Sequence, residues 1–199
     1  MVFDKYPKEI FPFDFDTYFA SEMECEIVTT NCVTGKVEYM TERSDRDRLM
    51  KLCRASSSMP LVSPIVNVDG VPYLDGGLAD SIPVKRAQAL GNEKIIVILT
   101  RNPGYRKKPT SRGVKSLYKR AYKKYPNLVR TAIKRSMIYN QQMELVEKLE
   151  DEGKIFVIRP LIPTVSRLEK NYDALMHFYE HGYRLMKRQY QALQEYMEK

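Results

Sequence analysis

The alternation of apolar and polar residues in the first part of the chain predicts two strand pairs with a helix between them. Residues 24–30 and 36–41 alternate as partner strands around a turn. Residues 64–75 predict a hairpin, because the dipeptide Asp69-Gly70 favours a tight turn between two strands. Between these pairs, Ser44-Asp45 precedes leucines at helical spacing, so we expect a helix to begin there.

The residues after the hairpin predict a helix that leads to a further strand. Ser81 is a residue type that caps helices, and Pro83 is tolerated in a first turn, where the missing N–H has no helical partner. Apolar residues at 84, 87 and 90 give this helix one apolar side, and the run at 94–100 is typical of a strand buried on both faces. Strand, helix and buried strand together predict a right-handed crossover in an α/β sheet.

Helices dominate the prediction for the second half of the chain. Apolar residues recur on one helix face over 114–125, and a longer helix is expected over 128–149, with Gly153 as its stop. Residues 154–159 predict another buried strand, and the tail is helical from about residue 171. We expect the inward side of this last helix to consist of Leu175, Phe178, Tyr179, Leu185, Met186 and Leu193.

Length and composition favour a single domain or one lobe of a larger one, with 199 residues and 43% hydrophobic content. The aliphatic run at 95–99 is far shorter than the roughly 20 apolar residues of a membrane span, and residues 1–7 lack a signal-peptide pattern. The three cysteines lack metal-type spacing: Cys25, Cys32 and Cys53. We therefore expect reduced, packed thiols and a cytoplasmic location.

The net charge of +8 arises from one segment, because residues 101–143 contain 13 Lys and Arg and no Asp or Glu. The helix predicted at 114–125 places its lysines away from its apolar face. Two interpretations stay open. In one, the tyrosines pack on the sheet and the lysines are solvated. In the other, the helix makes peripheral contact with an anionic membrane. Nucleic-acid binding is not expected, since no recognition motif accompanies the basic residues.

An ordered series of short motifs surrounds the two adjacent glycines at 76 and 77. Its members are Ala55-Ser56, Met59-Pro60, Pro64, Asp69-Gly70, Asp75-Gly76-Gly77 and Pro83-Val84. The series resembles the C-terminal half of the patatin-like phospholipase family, well over 24–101 and loosely over 153–199. The resemblance implies a three-layer α/β fold with a mostly parallel central sheet, here only its C-terminal half, followed by a helical C-terminal region.

Patatin-like enzymes are serine acyl hydrolases that act through a Ser–Asp dyad, which needs no metal or organic cofactor. The resemblance places the catalytic aspartate on Asp75, with Gly76 and Gly77 as active-site backbone. A serine hydroxyl is a poor nucleophile until a base accepts its proton, and Asp75 would be that base. The implied substrate is a phospholipid or another acyl ester.

The nucleophile of such a dyad is not found in this sequence. In the family the serine lies in G-x-S-x-G, after a glycine-rich loop that binds the oxyanion. The first glycine here is Gly35, and none of the nine glycines begins G-x-S-x-G. Ser56, Ser57 and Ser58 lack flanking glycines, so they do not fit the role. We expect the Asp-bearing half of a hydrolase, with the serine in a missing N-terminal half. The alternative is a non-catalytic binding module with a basic face for anionic lipid surfaces.

These features divide the chain into a patatin-like core portion (1–101), a basic helical segment (102–152), and the last strand and C-terminal helices of the same domain (153–199). His177 and His181 share a helix face at a spacing that can bind a metal, but no third ligand accompanies them, so we expect no metal site. Asp80 is expected to shape the loop after Asp75 rather than act as a second acid.

Overall fold

The computed structural model describes residue 3, residues 5–166 and residues 169–199. The chain forms two compact units: unit one comprises Met1–Ile82 and Lys108–Tyr139, and unit two comprises Pro83–Lys107 and Asn140–Lys199. The strands are β1 (Ile27–Asn31), β2 (Val37–Met40), β3 (Val66–Val68), β4 (Val71–Asp75), β5 (Ile96–Ile98) and β6 (Phe156–Ile158). The α-helices are α1 (Phe15–Ala20), α2 (Arg46–Ser56), α3 (Val84–Ala89), α4 (Arg112–Ala121), α5 (Pro126–Asp151) and α6 (Tyr172–Glu198).

Unit one contains a four-stranded sheet in the order β2-β1-β4-β3, and every neighbouring pair in it is antiparallel. The predicted strand pair and hairpin are therefore confirmed. The expected mostly parallel central sheet is not what this unit contains. Turns of a few residues join β1 to β2 and β3 to β4, and such turns connect antiparallel neighbours.

Helices cover β4 on both faces. Tyr73 packs in one buried cluster with Leu49 and Leu52 of α2. The Asp45 carboxylate caps the first turn of α2 by accepting the Arg48 N–H at 2.9 Å. The next residue, Leu74, packs in a second cluster whose other members come largely from α4 and α5: Leu78, Tyr118, Tyr122, Leu128, Val129 and Ala132, with Cys32. Successive side chains of a strand point to opposite faces, so β4 lies in the middle of three layers.

Tyr118 and Tyr122 thus pack beneath the sheet, as the first interpretation of the basic helix expected. Only part of the predicted apolar face is covered, however, because Val114 and Leu117 are exposed. The helix also ends earlier than predicted, at Ala121.

Unit two contains the parallel pair β5 and β6, with Ile96 opposite Phe156. The prediction that β5 is buried on both faces is wrong: Val97 is buried, whereas Ile96 and Ile98 are exposed. The predicted crossover is also wrong, because β4 and β5 belong to different sheets. A continuous aliphatic run does not reveal whether anything covers its second face.

Three details of the predicted helices need correction. Ser81 does not cap α3, which begins after Pro83 without a side-chain cap, and Leu90 is exposed rather than inward. On α6 only Leu185 of the predicted inward set is buried, while Tyr179 and Leu175 are exposed. Two helix boundaries are confirmed, since the Asn171 side chain caps α6 and Gly153, with a positive φ of 66°, follows α5.

Candidate active site

Asp75 is the last residue of β4, an interior strand of the sheet, and its backbone is fixed from two sides. The Asp75 N–H donates to the Ser58 carbonyl just after α2 at 2.9 Å. The Asp75 carbonyl accepts from the buried Thr30 hydroxyl on β1 at 2.8 Å. The strand end that carries the carboxylate is therefore held by both neighbouring elements.

The Asp75 carboxylate is oriented by the turn that follows it in the sequence. Its Oδ1 accepts the Gly77 N–H at 2.7 Å and so caps the short 3-10 helix Gly76–Leu78. The residue is half-buried, not sealed in the core. One carboxylate oxygen is thus held by the backbone at the tip of a strand.

The two glycines after Asp75 are required for different reasons. A Cβ on Gly76 would lie 2.3 Å from the Val28 carbonyl oxygen on β1, so only glycine allows this strand to approach so closely. A Cβ on Gly77 would lie 3.0 Å from Asp75 Oδ1 and 3.6 Å from an Arg135 guanidinium nitrogen. Gly76 therefore serves packing, and Gly77 leaves room beside the carboxylate.

Arg135 of α5 is a residue of this site that the sequence reasoning missed. Its Nε donates to the Gly77 carbonyl at 2.8 Å, and the Ser81 hydroxyl donates to the same oxygen at 2.6 Å. Ser81, expected to be a helix cap, instead holds the glycine turn. No sequence pattern distinguishes Arg135, which is one of many basic residues in its segment.

Asp80 lies on the same turn and has a structural contact. Its carboxylate accepts the Tyr39 hydroxyl of β2 at 2.5 Å, and its N–H donates to the Gly76 carbonyl at 2.9 Å. This agrees with the expectation that Asp80 shapes the loop.

Among the described residues, no serine hydroxyl hydrogen-bonds to the Asp75 carboxylate. The Ser58 hydroxyl is buried and donates to the Arg54 carbonyl at 2.7 Å, closing the end of α2. The Ser58 hydroxyl therefore does not donate its proton to Asp75.

Three further features bear on chemistry within the part of the chain that the structure describes. There, no three or more His, Cys, Asp and Glu side chains gather as a metal site would require. His181 forms a hydrogen bond within the protein, in which its Nε2 accepts the Leu161 N–H at 3.1 Å. No helix among the described residues combines the length and apolar character needed to span a membrane. All three cysteines are free, but Cys25 is exposed, so the expectation of packed thiols is wrong for it.

Comparison with known proteins gives two family matches on different parts of the chain. Residues 13–87, which include Asp75 and both glycines, match the patatin-like phospholipase family. Residues 125–198, from the start of α5 to the end of α6, match a domain of unknown function, DUF6363. The patatin-like match lies toward the N-terminal end of this chain and does not support the finer expectation that the chain is the family's C-terminal half.

One curated relative is similar over a short segment. It is the "uncharacterized protein YjjU" of Escherichia coli (strain K12), which is 42% identical over 52 residues. The match covers 26% of this chain and 15% of the relative. Separately from this relative, the patatin-like match at residues 13–87 suggests a lipid acyl hydrolase family.

Proposed function

We propose that this chain supplies the aspartate base of a patatin-like serine acyl hydrolase that cleaves lipid or other acyl esters. The observation that carries the proposal is Asp75 itself, a half-buried residue at the end of an interior strand within the family-matched segment. Its Oδ1 is held by the Gly77 N–H, so we assign the other oxygen, Oδ2, to the incoming proton.

In this mechanism Asp75 accepts the proton of a serine hydroxyl while the serine oxygen attacks the ester carbonyl. The tetrahedral intermediate collapses to an acyl-serine, and the alcohol leaves with the proton that Asp75 returns. Water then attacks the acyl-serine with Asp75 as base, which releases the carboxylic acid and restores the serine. Arg135 and Ser81 act as positioning residues, because both hold the Gly77 carbonyl and thereby the turn that orients the carboxylate.

The serine in this proposal lies outside residues 1–199, since these contain no G-x-S-x-G. The chain would then correspond to the aspartate-bearing part of the family's domain. The coding sequence upstream of residue 1 is the first test, and a glycine-rich loop followed by G-x-S-x-G is the expected finding. If that segment lacks both motifs, this form of the proposal is wrong.

The second test measures hydrolysis of a p-nitrophenyl ester and labelling by a fluorophosphonate in the protein that joins this chain to the serine segment. Asp75→Asn should lower kcat/KM by about 10²- to 10⁴-fold, the usual contribution of a general base. Asp69→Asn is the matched control, since Asp69 is an exposed residue on the turn that precedes β4. Unchanged activity of Asp75→Asn, or labelling of residues 1–199 alone, would contradict the assignment.

A second candidate function is contact with an anionic lipid surface through α4. Val114 and Leu117 are exposed on this helix, and Arg120 is exposed one turn beyond Leu117. Among the described residues, no carboxylate forms an ion pair with the basic side chains around them: Arg112, Lys115, Lys119, Arg120, Lys123 and Lys124. Exposed aliphatics between unpaired cations favour anionic lipid over a purely solvated surface.

Co-sedimentation with vesicles tests this second candidate. We expect more binding to phosphatidylglycerol vesicles than to phosphatidylcholine vesicles at low salt, and less binding after Arg120→Glu. The matched control is Lys85→Glu, which reverses an exposed charge on α3. Equal binding to both vesicle types would refute the idea.

A further inference from the structure

Helix α6 has one side that packs within unit two. Leu185 is buried. The Tyr196 hydroxyl accepts a hydrogen bond at 2.9 Å from the N–H of Ile95, the residue before β5. His181 accepts the Leu161 N–H. These contacts define the inner side of the helix.

The other side of α6 carries an unbroken apolar row, which we call the tyrosine seam. Its members are Tyr172, Met176, Tyr179, Tyr183, Met186, Tyr190, Leu193 and Met197. Their spacing alternates between four and three residues along the whole helix, which is the a/d pattern of a coiled coil. At 1.5 Å per residue the seam is about 38 Å long.

Most of this seam is open to solvent. Tyr172, Tyr179, Tyr183, Tyr190 and Met197 are between 49% and 71% exposed. A continuous exposed row of aromatic side chains is a feature of protein interfaces, where tyrosine is enriched, and not of surfaces that stay in water.

We propose that the tyrosine seam binds the same seam of a second copy of this chain, with the two α6 helices antiparallel. The seam can pair with a second copy of itself that runs in the opposite direction. In that arrangement Tyr172 faces Met197 of the second copy, and Tyr179 faces Tyr190. Tyr183 likewise faces Met186, and Met176 faces Leu193. Three of these four pairings set tyrosine against methionine or tyrosine, contacts that are favourable for sulfur and aromatic rings, and the fourth is aliphatic.

The charges beside the seam select the antiparallel direction. Glu180 and Lys187 occupy the same flanking heptad position, and two such positions meet only when the helices are antiparallel. Glu180 of each copy then faces Lys187 of the other, so the ion pair occurs twice. A parallel pair would instead set Glu180 against Leu175 and Lys187 against Gly182, both of which are uncharged. Lys187 already lies beside the seam, with its Nζ 4.9 Å from the centroid of the Tyr183 ring, whereas Glu180 pairs with Arg184 of its own helix at 2.8 Å.

Sedimentation equilibrium of the full chain tests the interface. The mass should rise with concentration from 23.3 kDa toward twice that value. Tyr183→Lys should restore the monomer, because it buries a charge in the seam. His177→Lys, which adds a charge on an exposed position of α6 outside the seam, should leave the dimer unchanged. A monomer at every concentration, or a dimer that survives Tyr183→Lys, overturns the proposal.

Charge reversal tests the direction. Glu180→Lys and Lys187→Glu each set like charges together twice, so each should raise the dimer Kd by about tenfold or more. The double variant should return the Kd to near the wild-type value. Single variants without effect, or a double variant that does not recover, would exclude the antiparallel arrangement. This inference does not depend on the hydrolase proposal, and its failure would leave that proposal standing.

Discussion

The carboxylate of Glu42 anchors the start of α2, and its removal gives a quantitative prediction. Its Oε1 accepts three successive backbone N–H groups, those of Arg43, Ser44 and Asp45, each at 2.9 Å. Its Oε2 accepts from the Arg48 guanidinium at 2.7 Å, and the Glu42 side chain is only 7% exposed. These bonds favour the ionised form, so the pKa of Glu42 is lowered from its ordinary 4.5 to about 2, with the Asp45 N–H as the largest cause.

The lowered pKa of Glu42 means that its ionised carboxylate stabilises the folded protein relative to the unfolded chain. A shift of this size corresponds to about 3 kcal/mol of the free energy of unfolding, at 1.36 kcal/mol per pH unit. Because the folded pKa is the lower one, this contribution is fully present above the unfolded pKa near 4.5 and is lost as the pH falls through about 2. At pH 3 about 1 to 2 kcal/mol of it should remain.

Urea unfolding followed by far-UV circular dichroism measures the effect of Glu42→Gln. We expect the variant to be about 3 kcal/mol less stable than the wild type at pH 7, with a smaller difference at pH 3. Glu24→Gln, at an exposed position ahead of β1, is the control and should change little. A difference below about 1 kcal/mol at pH 7, or one that does not shrink on acidification, would refute the argument.

Three further outcomes follow from the geometry. Gly76→Ala should lower the free energy of unfolding measured in urea by about 2 kcal/mol or more, because the added Cβ would overlap a β1 carbonyl. The control Gly113→Ala should be neutral or stabilising, because a Cβ there would meet nothing within 4 Å. In the protein that joins this chain to the serine segment, Arg135→Met should lower kcat by about tenfold or more with little change in KM, since it loosens the turn beside the carboxylate. Under native conditions Ellman's reagent should label the exposed Cys25 but not Cys32, whose burial raises its thiol pKa to about 12, and equal labelling would contradict this.

Local sequence patterns were sufficient to predict several turns and helix starts in both units. The Asp69-Gly70 dipeptide predicts a turn that needs positive φ at both residues, and the observed φ values are 53° and 83°. The start of α2 at Asp45 and of α6 at Asn171 follows from side chains that reach N–H groups three residues away. Such features are decided by neighbours in the sequence, so they can be predicted from it.

The candidate site was predictable only in part. A sequence motif predicts a catalytic role for Asp75 and its glycines, but their geometry depends on groups far along the chain. Arg135 reaches the Gly77 carbonyl from 58 residues away, and the Gly76 backbone contacts β1. Nothing in the basic segment distinguishes Arg135 from its neighbours, because its role comes from the placement of α5.

Caps, turn dipeptides and periodicity act over a few residues, so most of the helices, strands and turns could be predicted from the sequence. Which apolar face is covered depends instead on the tertiary structure. Both Leu185 and Tyr179 lie at helical spacing on α6, yet one is buried and the other exposed. The same holds for β5, where Val97 is buried and Ile98 is not. Periodicity gives a face its apolar character, but burial requires a neighbouring element, and that neighbour is chosen by the fold as a whole.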